Sequence, residues 1–267
     1  MKPIELINTY NNNLTMDSNL AVIIMAGGLG KRMESSLPKV LHEVNGEPMI
    51  VRTINSVLYL NPAKIVVVVG NNKDLIKTGI EKFISTNIIE YALQNEPLGT
   101  GHAVQCAMKC FNDENDNTDI LILCGDTPLL SGETLLTLYD EYKIFSPSMQ
   151  ITGAYNEKPD GYGRISFNPL CGTFRRIIEH KDCNDEELKN ILVHCSIYLS
   201  KLGVLNRNIP LIKNNNVKSE YYLTDVVELI NQESSNVRVS VLPEHKLIEI
   251  TNVNTRKELE TVNSMFA

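Results

Sequence analysis

Short apolar runs alternate along the chain with longer stretches in which apolar residues recur every three or four positions. Ala21 to Met25, Ile65 to Val69 and Ile120 to Leu123 are such runs, each followed closely by glycine: Gly27-Gly28, Gly70 and Gly125. This length and composition predict strands buried on both faces of a parallel sheet. Between them, Ile50, Ile54, Val57 and Leu58 share one face of a helix over Met49 to Leu60. Asp74 to Ile84, Thr100 to Phe111 and Gly132 to Phe145 repeat the helical period. Strand and helix in alternation predict a Rossmann-like, three-layer α/β fold with right-handed crossovers. Past Met149 the pattern changes to strand-like segments divided by turns: Gln150–Tyr155, Gly163–Phe167, Thr173–Glu179 and Leu192–Leu199. These predict a small antiparallel or mixed excursion beside a mostly parallel sheet. A helix over Tyr222 to Gln232, a strand at Val237–Leu242 and a helix over Thr255 to Met265 complete the pattern.

Composition narrows this picture. The 267 residues are 43% hydrophobic, enough to build one large α/β core without disulfides or metals. The formal net charge of −7 disfavours nucleic acid or a membrane surface as partner. An anionic substrate would need a local cluster of cations on this acidic body. The six cysteines (Cys106, Cys110, Cys124, Cys171, Cys183 and Cys195) are spread without a CxxC pair. They read as small apolar residues of a cytoplasmic protein. No apolar run approaches the ~18 residues of a membrane span. Residues 1–18 are polar, include Asn11-Asn12-Asn13 and lack a signal-peptide core. They read as a flexible arm ahead of one domain over 19–267.

The chemistry concentrates in Met25-Ala26-Gly27-Gly28-Leu29-Gly30-Lys31-Arg32-Met33, followed by Pro38-Lys39. Glycines let backbone N–H groups approach phosphate oxygens, and Lys31, Arg32 and Lys39 supply positive charge. The loop follows the first strand, at the sheet edge where α/β proteins bind ligands. It is not a P-loop, because Arg32 follows Lys31 where Ser or Thr is needed. Nor is it a dinucleotide fingerprint, because Met33 takes the place of the third glycine.

Gly27 to Met33 and Leu37 to Met49 together resemble the signature of the bacterial N-acetylglucosamine-1-phosphate uridylyltransferase family. Leu93 to Ala103, Gly161 to Ile165, Glu179 to Asp182 and Glu220 to Asp225 are similar to the same family, in the same order, so the resemblance covers roughly residues 20–260. It implies a nucleotidyltransferase fold and transfer of a uridylyl group from UTP to a hexose 1-phosphate. Met25, Ala26, Gly27, Gly28, Gln94, Gly99, Thr100 and Gly125 would then bind the nucleotide, Gln94 reading the uracil edge with its amide. Arg32 and Lys39 would hold phosphates. Asp126 and Asn254 would hold Mg²⁺, which favours a few protein oxygens completed by phosphate oxygens. Gly163, Glu179, His194 and Thr224 would bind the sugar. Thr100 and Asn254 each also suit a helix cap.

The resemblance is not complete. His194-Cys195-Ser196 replaces an Asn-Thr-Gly turn, and Cys124 stands where Tyr is common. His194 is therefore either a sugar ligand in place of asparagine or a packed strand histidine. As a ligand, it would make sugar preference drift between pH 6 and 8. The bacterial enzymes carry a C-terminal left-handed β-helix. No hexapeptide repeat is present here, so the uridylyltransferase half alone is expected, without acetyl transfer. Other bases or sugars, and a non-catalytic nucleotide-sugar sensor, are the rival functions; Arg32, Lys39 and Asp126 favour catalysis. Oligomeric state is left open.

Overall fold

Parallel pairing of the three apolar runs makes the middle of one sheet. The structure, a computed structural model, describes residues 19–266; the expected arm lies outside them. In chain order the strands are β1 (Leu20–Met25), β2 (Glu43–Val44), β3 (Glu47–Pro48), β4 (Lys64–Val69), β5 (Ile89–Leu93) and β6 (Asp119–Cys124). They continue as β7 (Met149–Tyr155), β8 (Arg164–Phe167), β9 (Phe174–Ile178), β10 (Leu192–Lys201) and β11 (Val237–Val241). The α-helices are α1 (Met49–Leu58), α2 (Lys73–Glu81), α3 (Thr100–Met108), α4 (Gly132–Phe145), α5 (Asp185–Leu188), α6 (Leu202–Asn208), α7 (Thr224–Ser234) and α8 (Arg256–Asn263). The main sheet runs β11-β7-β10-β6-β1-β4-β5. Only β10 runs antiparallel to its neighbours β6 and β7.

Alternation along each central strand feeds two cores. Leu20, Val22 and Ile24 of β1 face α1, α2 and α4, through Ile50, Ile54, Ile76, Ile80, Leu135 and Leu138. Ala21 and Ile23 face α3, α6 and α7, through Val104, Ala107, Leu202, Leu205, Val226 and Ile230. This is the three-layer arrangement that the periodicities predict. Each such Val, Leu or Ile contributes roughly 1.5–3 kcal/mol on burial.

The register of the central strands places the site. Met25 pairs with Val68 on one side and Cys124 on the other. The chain leaves β1 with Ala26 N–H donating to Val68 O (2.9 Å), and leaves β6 with Gly125 N–H donating to Met25 O (3.0 Å). Gln94 N–H donates to Val69 O (2.8 Å). The glycine loop, Gln94 and Asp126 thus emerge together at the carboxyl ends of neighbouring strands.

The sequence reading differs from the fold in several places. β7 and β10 belong to the main sheet, and only the β8–β9 hairpin leaves it, joined to β10 through Val193 and Arg164. β5, an edge strand with only Ala92 buried, gives no apolar run to read. The β2–β3 hairpin turns on Asn45 (φ 51°) and Gly46 (φ 78°), both in the left-handed region that such a two-residue turn demands. It helps to hold α8: Asn45 N–H donates to Asn263 Oδ1 (2.8 Å), and Val44 and Met49 pack with Val253 and Val262. The helix expected from Tyr222 starts at Thr224, because Tyr221 is held in extended pairing: its N–H donates to Leu98 O and its O accepts from Gly101 N–H (both 2.7 Å).

That pairing depends on Gly99. Its φ is +117°, and a Cβ there would lie 2.5 Å from Tyr221 O. Gly99→Ala is expected to cost about 2 kcal/mol or more, lowering the thermal midpoint by roughly 4–8 °C. Gly161→Ala, also at positive φ (+84°) but meeting nothing within 4 Å, should cost only ~1–2 kcal/mol of backbone strain. Circular-dichroism melts of the two variants check this; equal shifts would mean that the Tyr221 contact is not what requires Gly99.

Candidate active site

The glycine loop is shaped from both ends. Gly30 has φ +58°, and a Cβ on it would lie 2.7 Å from Lys39 Cβ, so the glycine admits Lys39 to the site. Met33, in the position that excluded a dinucleotide fingerprint, is fully buried and anchors the turn, while Lys31 and Arg32 stay exposed. Arg256 of α8 closes the far end, donating from Nε to Met33 O (2.9 Å) and from Nη2 to Glu34 O (2.6 Å). The loop, Lys39, Gln94 and Asp126 surround a cavity of about 680 Å³.

At one end of this cavity three distant segments meet on one ammonium. Lys39 Nζ donates to Asp126 Oδ2 and, at 3.0 Å, to Asn254 Oδ1. Asp126 is fastened by its carbonyl, which accepts from Val253 N–H (3.0 Å). Asn254 is not the cap of α8. Thr255 is, in a capping box with Glu258, whose Oε2 also accepts from Asn254 N–H (2.7 Å). The Asn254 side chain is thereby left for Lys39. Two hard oxygen donors converge on a cation, and Asp126 Oδ1 is buried without a hydrogen-bond partner. Among the described residues no three His, Cys, Asp or Glu converge. The donor set fits a hard cation that would complete its shell with substrate oxygens, and not a closed protein cage.

At the other end, Gln94 Nε2 donates to Gly99 O (3.0 Å) and lies 3.2 Å from His102 Nδ1. Its Oε1 lies against Gly27, where a Cβ would come within 3.0 Å. The amide keeps acceptor capacity facing the glycine loop. Thr100 does not cap its helix; its Oγ1 accepts from Leu223 N–H (2.9 Å) and so braces the start of α7.

The sequence-predicted residues fall into two clusters. Met25, Ala26, Gly27, Gly28, Arg32, Lys39, Gln94, Gly99, Thr100 and Asp126 line the cavity, and Asn254 joins them through Lys39. Gly125 yields its space to packing: a Cβ there would lie 2.8 Å from Ile50 Cδ1. The predicted sugar residues gather behind Cys124. Thr224 Oγ1 donates to Glu179 Oε1 (2.9 Å), and burial holds the Glu179 carboxyl above its usual range. His194 N–H donates to Gly163 O (2.9 Å). Cys124, which lines the cavity, links the clusters through Ser196 and lies near Asp126 and Glu179; burial, then the Asp126 charge, pushes its thiol up to about 12.

His194 is placed as a packed histidine. It is 3% exposed, its ring centroid is 4.6 Å from that of Tyr198, and its Nδ1 accepts from Ser196 N–H (3.3 Å). It does not reach the cavity wall. Ser196 adopts φ +57° in a bulge of β10 between His194 and Tyr198, taking the conformation for which the resembled turn has glycine. Sequence reasoning gave no role to Lys218, which lines the cavity from an asparagine-rich loop without a recognisable motif, nor to Glu220, which lines it at the start of the Glu220 to Asp225 stretch.

A glycine-rich loop after the first strand, cations beside it and an aspartate closing a neighbouring strand define a nucleotidyltransferase. The MobA-like NTP transferase domain model matches residues 22–162. The chain is 45% identical over 247 residues to a probable UDP-N-acetylglucosamine pyrophosphorylase of Acanthamoeba polyphaga mimivirus, covering 92% of this chain and 96% of that protein. It is 36% identical over 237 residues to the bifunctional protein GlmU of Clostridium botulinum (strain 657 / Type Ba4), and 37% identical over 242 residues to that of Bacillus cereus (strain G9842). In both cases it spans about half (50%) of the relative's length. A Bacillus anthracis structure, described as a candidate glucose-1-phosphate thymidylyltransferase with sucrose, superposes with a TM-score of 0.69 at 17% identity, covering 92% of this chain and 94% of that one; it shares the fold. The chain belongs to the UDP-N-acetylglucosamine pyrophosphorylase family of nucleotidyltransferases. No helix among the described residues is long and apolar enough to cross a membrane.

Burial of His194 argues against the expected pH drift in sugar preference, because it lowers the pKa to about 3. The folded value lies below the unfolded one, so the unfolded chain takes up the proton. Stability from this group is full above ~6.5 and is lost as pH falls towards 3, at about 1.4 kcal/mol per pH unit. Between pH 6.5 and 4.5 the wild type should lose roughly 2–3 kcal/mol more than His194→Asn in urea unfolding. Equal losses would place an ordinary, titrating imidazole at this position.

Proposed function

We propose that this chain transfers a uridylyl group from UTP to N-acetylglucosamine 1-phosphate, giving UDP-N-acetylglucosamine and pyrophosphate. The observation that carries the reading is the convergence of Lys39, Asp126 and Asn254 between the glycine loop and the Glu179–Thr224 pair. A phosphate monoester is already ionised at neutral pH, so its oxygen can attack the α-phosphorus without a general base. Catalysis then consists of alignment and charge neutralisation.

Each residue has a part in that scheme. Backbone N–H groups of Gly27 and Gly28, with Lys31 and Arg32, hold the triphosphate. Gln94 offers its amide to the uracil edge. Lys39 lies where charge accumulates on the attacked phosphoryl group, and Glu179 with Thr224 receives sugar hydroxyls. Mg²⁺ held by Asp126 and Asn254 would supply charge neutralisation for the reacting phosphates. The six cysteines, all free, suit a reducing cytoplasm.

Asp126→Ala should fold yet lose roughly 10³-fold or more in kcat. Pyrophosphate release from UTP, with and without chelator, tests this; near-native turnover of the variant, or chelator-resistant activity, sinks the metal assignment. Lys39→Ala should lower kcat/KM for UTP by at least ~10-fold, the value of a charged phosphate contact. Steady-state kinetics with UTP, CTP and dTTP check both this loss and the preference for uridine; unchanged kcat/KM removes Lys39 from the phosphate site.

A further inference from the structure

The nucleotide end of the cavity has cations of its own, but the acceptor end has none assigned. The acceptor phosphate carries about −1.5 to −2 at pH 7. Lys31 and Arg32 lie on the glycine loop, and Lys39 is shared with Asp126 and Asn254. Behind Cys124, the Glu179–Thr224 pair offers groups for sugar hydroxyls but no positive charge.

Lys218 lies between the two clusters. It lines the cavity with the glycine loop, and its charge is near enough to Glu179 to draw that carboxyl downward against the effect of burial. Its ammonium makes no hydrogen bond or ion pair among the described residues. The backbone beneath it is fixed. Val217 N–H donates to Asp182 Oδ1 (2.9 Å), and Ser219 N–H donates to Asn216 O (3.0 Å). The Asn216 side chain bonds both ways to Glu220, donating to its O (2.6 Å) and accepting from its N–H (3.2 Å). Ser219 takes φ +52°, the reversal that leaves Lys218 at the tip of this turn. From Tyr221 onward the chain is stitched to Leu98 and Gly101. This hydrogen-bonded turn thus presents to the cavity a cation without a partner among the described residues, within electrostatic reach of the carboxylate assigned to the sugar.

We propose that Lys218 binds the phosphate of the hexose 1-phosphate and sets the affinity for that acceptor. The inference rests on the uridylyltransferase reading and deepens it. The cation holds the attacking phosphate near Glu179, so the sugar and its phosphate are gripped from the same side while the glycine loop keeps the nucleotide. Its charge also separates acceptors: a hexose 1-phosphate gains from it, and an unphosphorylated hexose does not.

The test is a split of Michaelis constants. Lys218→Met should raise KM for N-acetylglucosamine 1-phosphate at least ~10-fold, as loss of a charged phosphate contact does, while KM for UTP stays within about twofold. Lys218→Arg should restore most of the acceptor affinity. The residue is exposed, so the melting temperature should not move. A rise in KM for UTP, or an unchanged acceptor KM, overturns the proposal and leaves the uridylyltransferase reading standing. If the wild type turns over a different hexose 1-phosphate, the sugar assignment alone fails, and the same split with that acceptor decides on Lys218. If it turns over none, both readings fall.

Discussion

One ammonium group ties the site together. Lys39 Nζ meets Asp126 and Asn254, 87 and 215 residues away, so three separate stretches of chain must be brought to a single point. As a contribution to stability the contact is modest. Both charged side chains are about one-eighth exposed (13% and 12%), and an ion pair at such depth roughly balances attraction against lost hydration. Its value is in placement. The parallel register of β1 and β6 delivers Asp126, Gly30 makes room for Lys39, and the capping box of α8 frees Asn254. Asp126 also offsets the Lys39 charge. Lys31 and Arg32, by contrast, have no ion-pair partner among the described residues.

The fold was legible where burial was two-sided. β1, β4 and β6 are apolar on both faces, and short runs of this kind bounded by glycine suit strands buried in the middle of a sheet. It was illegible where pairing, not composition, decides. β5 buries Ala92 alone and exists because Val69 offers it a partner. β7 and β10 carry no sign of whether they join the main sheet, and the long-range pairing of β10 with β6, and of β7 with β10, settles it. The start of α7 is set from outside, by the Thr100 hydroxyl and the pairing of Tyr221, so periodicity placed it two residues too early.

The site divides in the same way. Groups that belong to a local motif could be read from the sequence: the glycine loop, Lys39 and Asp126 sit at fixed offsets from strand ends. Asn254 was ambiguous with a helix cap until Thr255 took that role. Lys218 was invisible, since its use depends on Asp182 and Asn216 fixing a turn that has no signature of its own. For Thr100 only the second reading, as a helix cap, fails: a threonine at a helix start suggests a cap, yet its hydroxyl serves the backbone of another element.

His194 shows how a different residue can fill a turn without opening a gap. In the resembled turn an asparagine precedes a threonine and a glycine; here histidine, cysteine and serine stand at those positions, where β10 bulges. Ser196 accepts the left-handed backbone at φ +57°, a strain of order 1–2 kcal/mol for a residue with a Cβ. In that conformation its N–H donates to His194 Nδ1, and its hydroxyl bonds with the Cys124 thiol. Burial keeps the imidazole neutral, so it can accept that bond and pack on Tyr198 without bringing charge into the core. With the ring buried, the cavity wall here is formed by Cys124, a smaller side chain than the tyrosine common there. Lys39 and Asp126 line the cavity on one side of this wall and Glu179 pairs with Thr224 on the other, so the change at this turn alters packing along β10 and leaves both contacts in place.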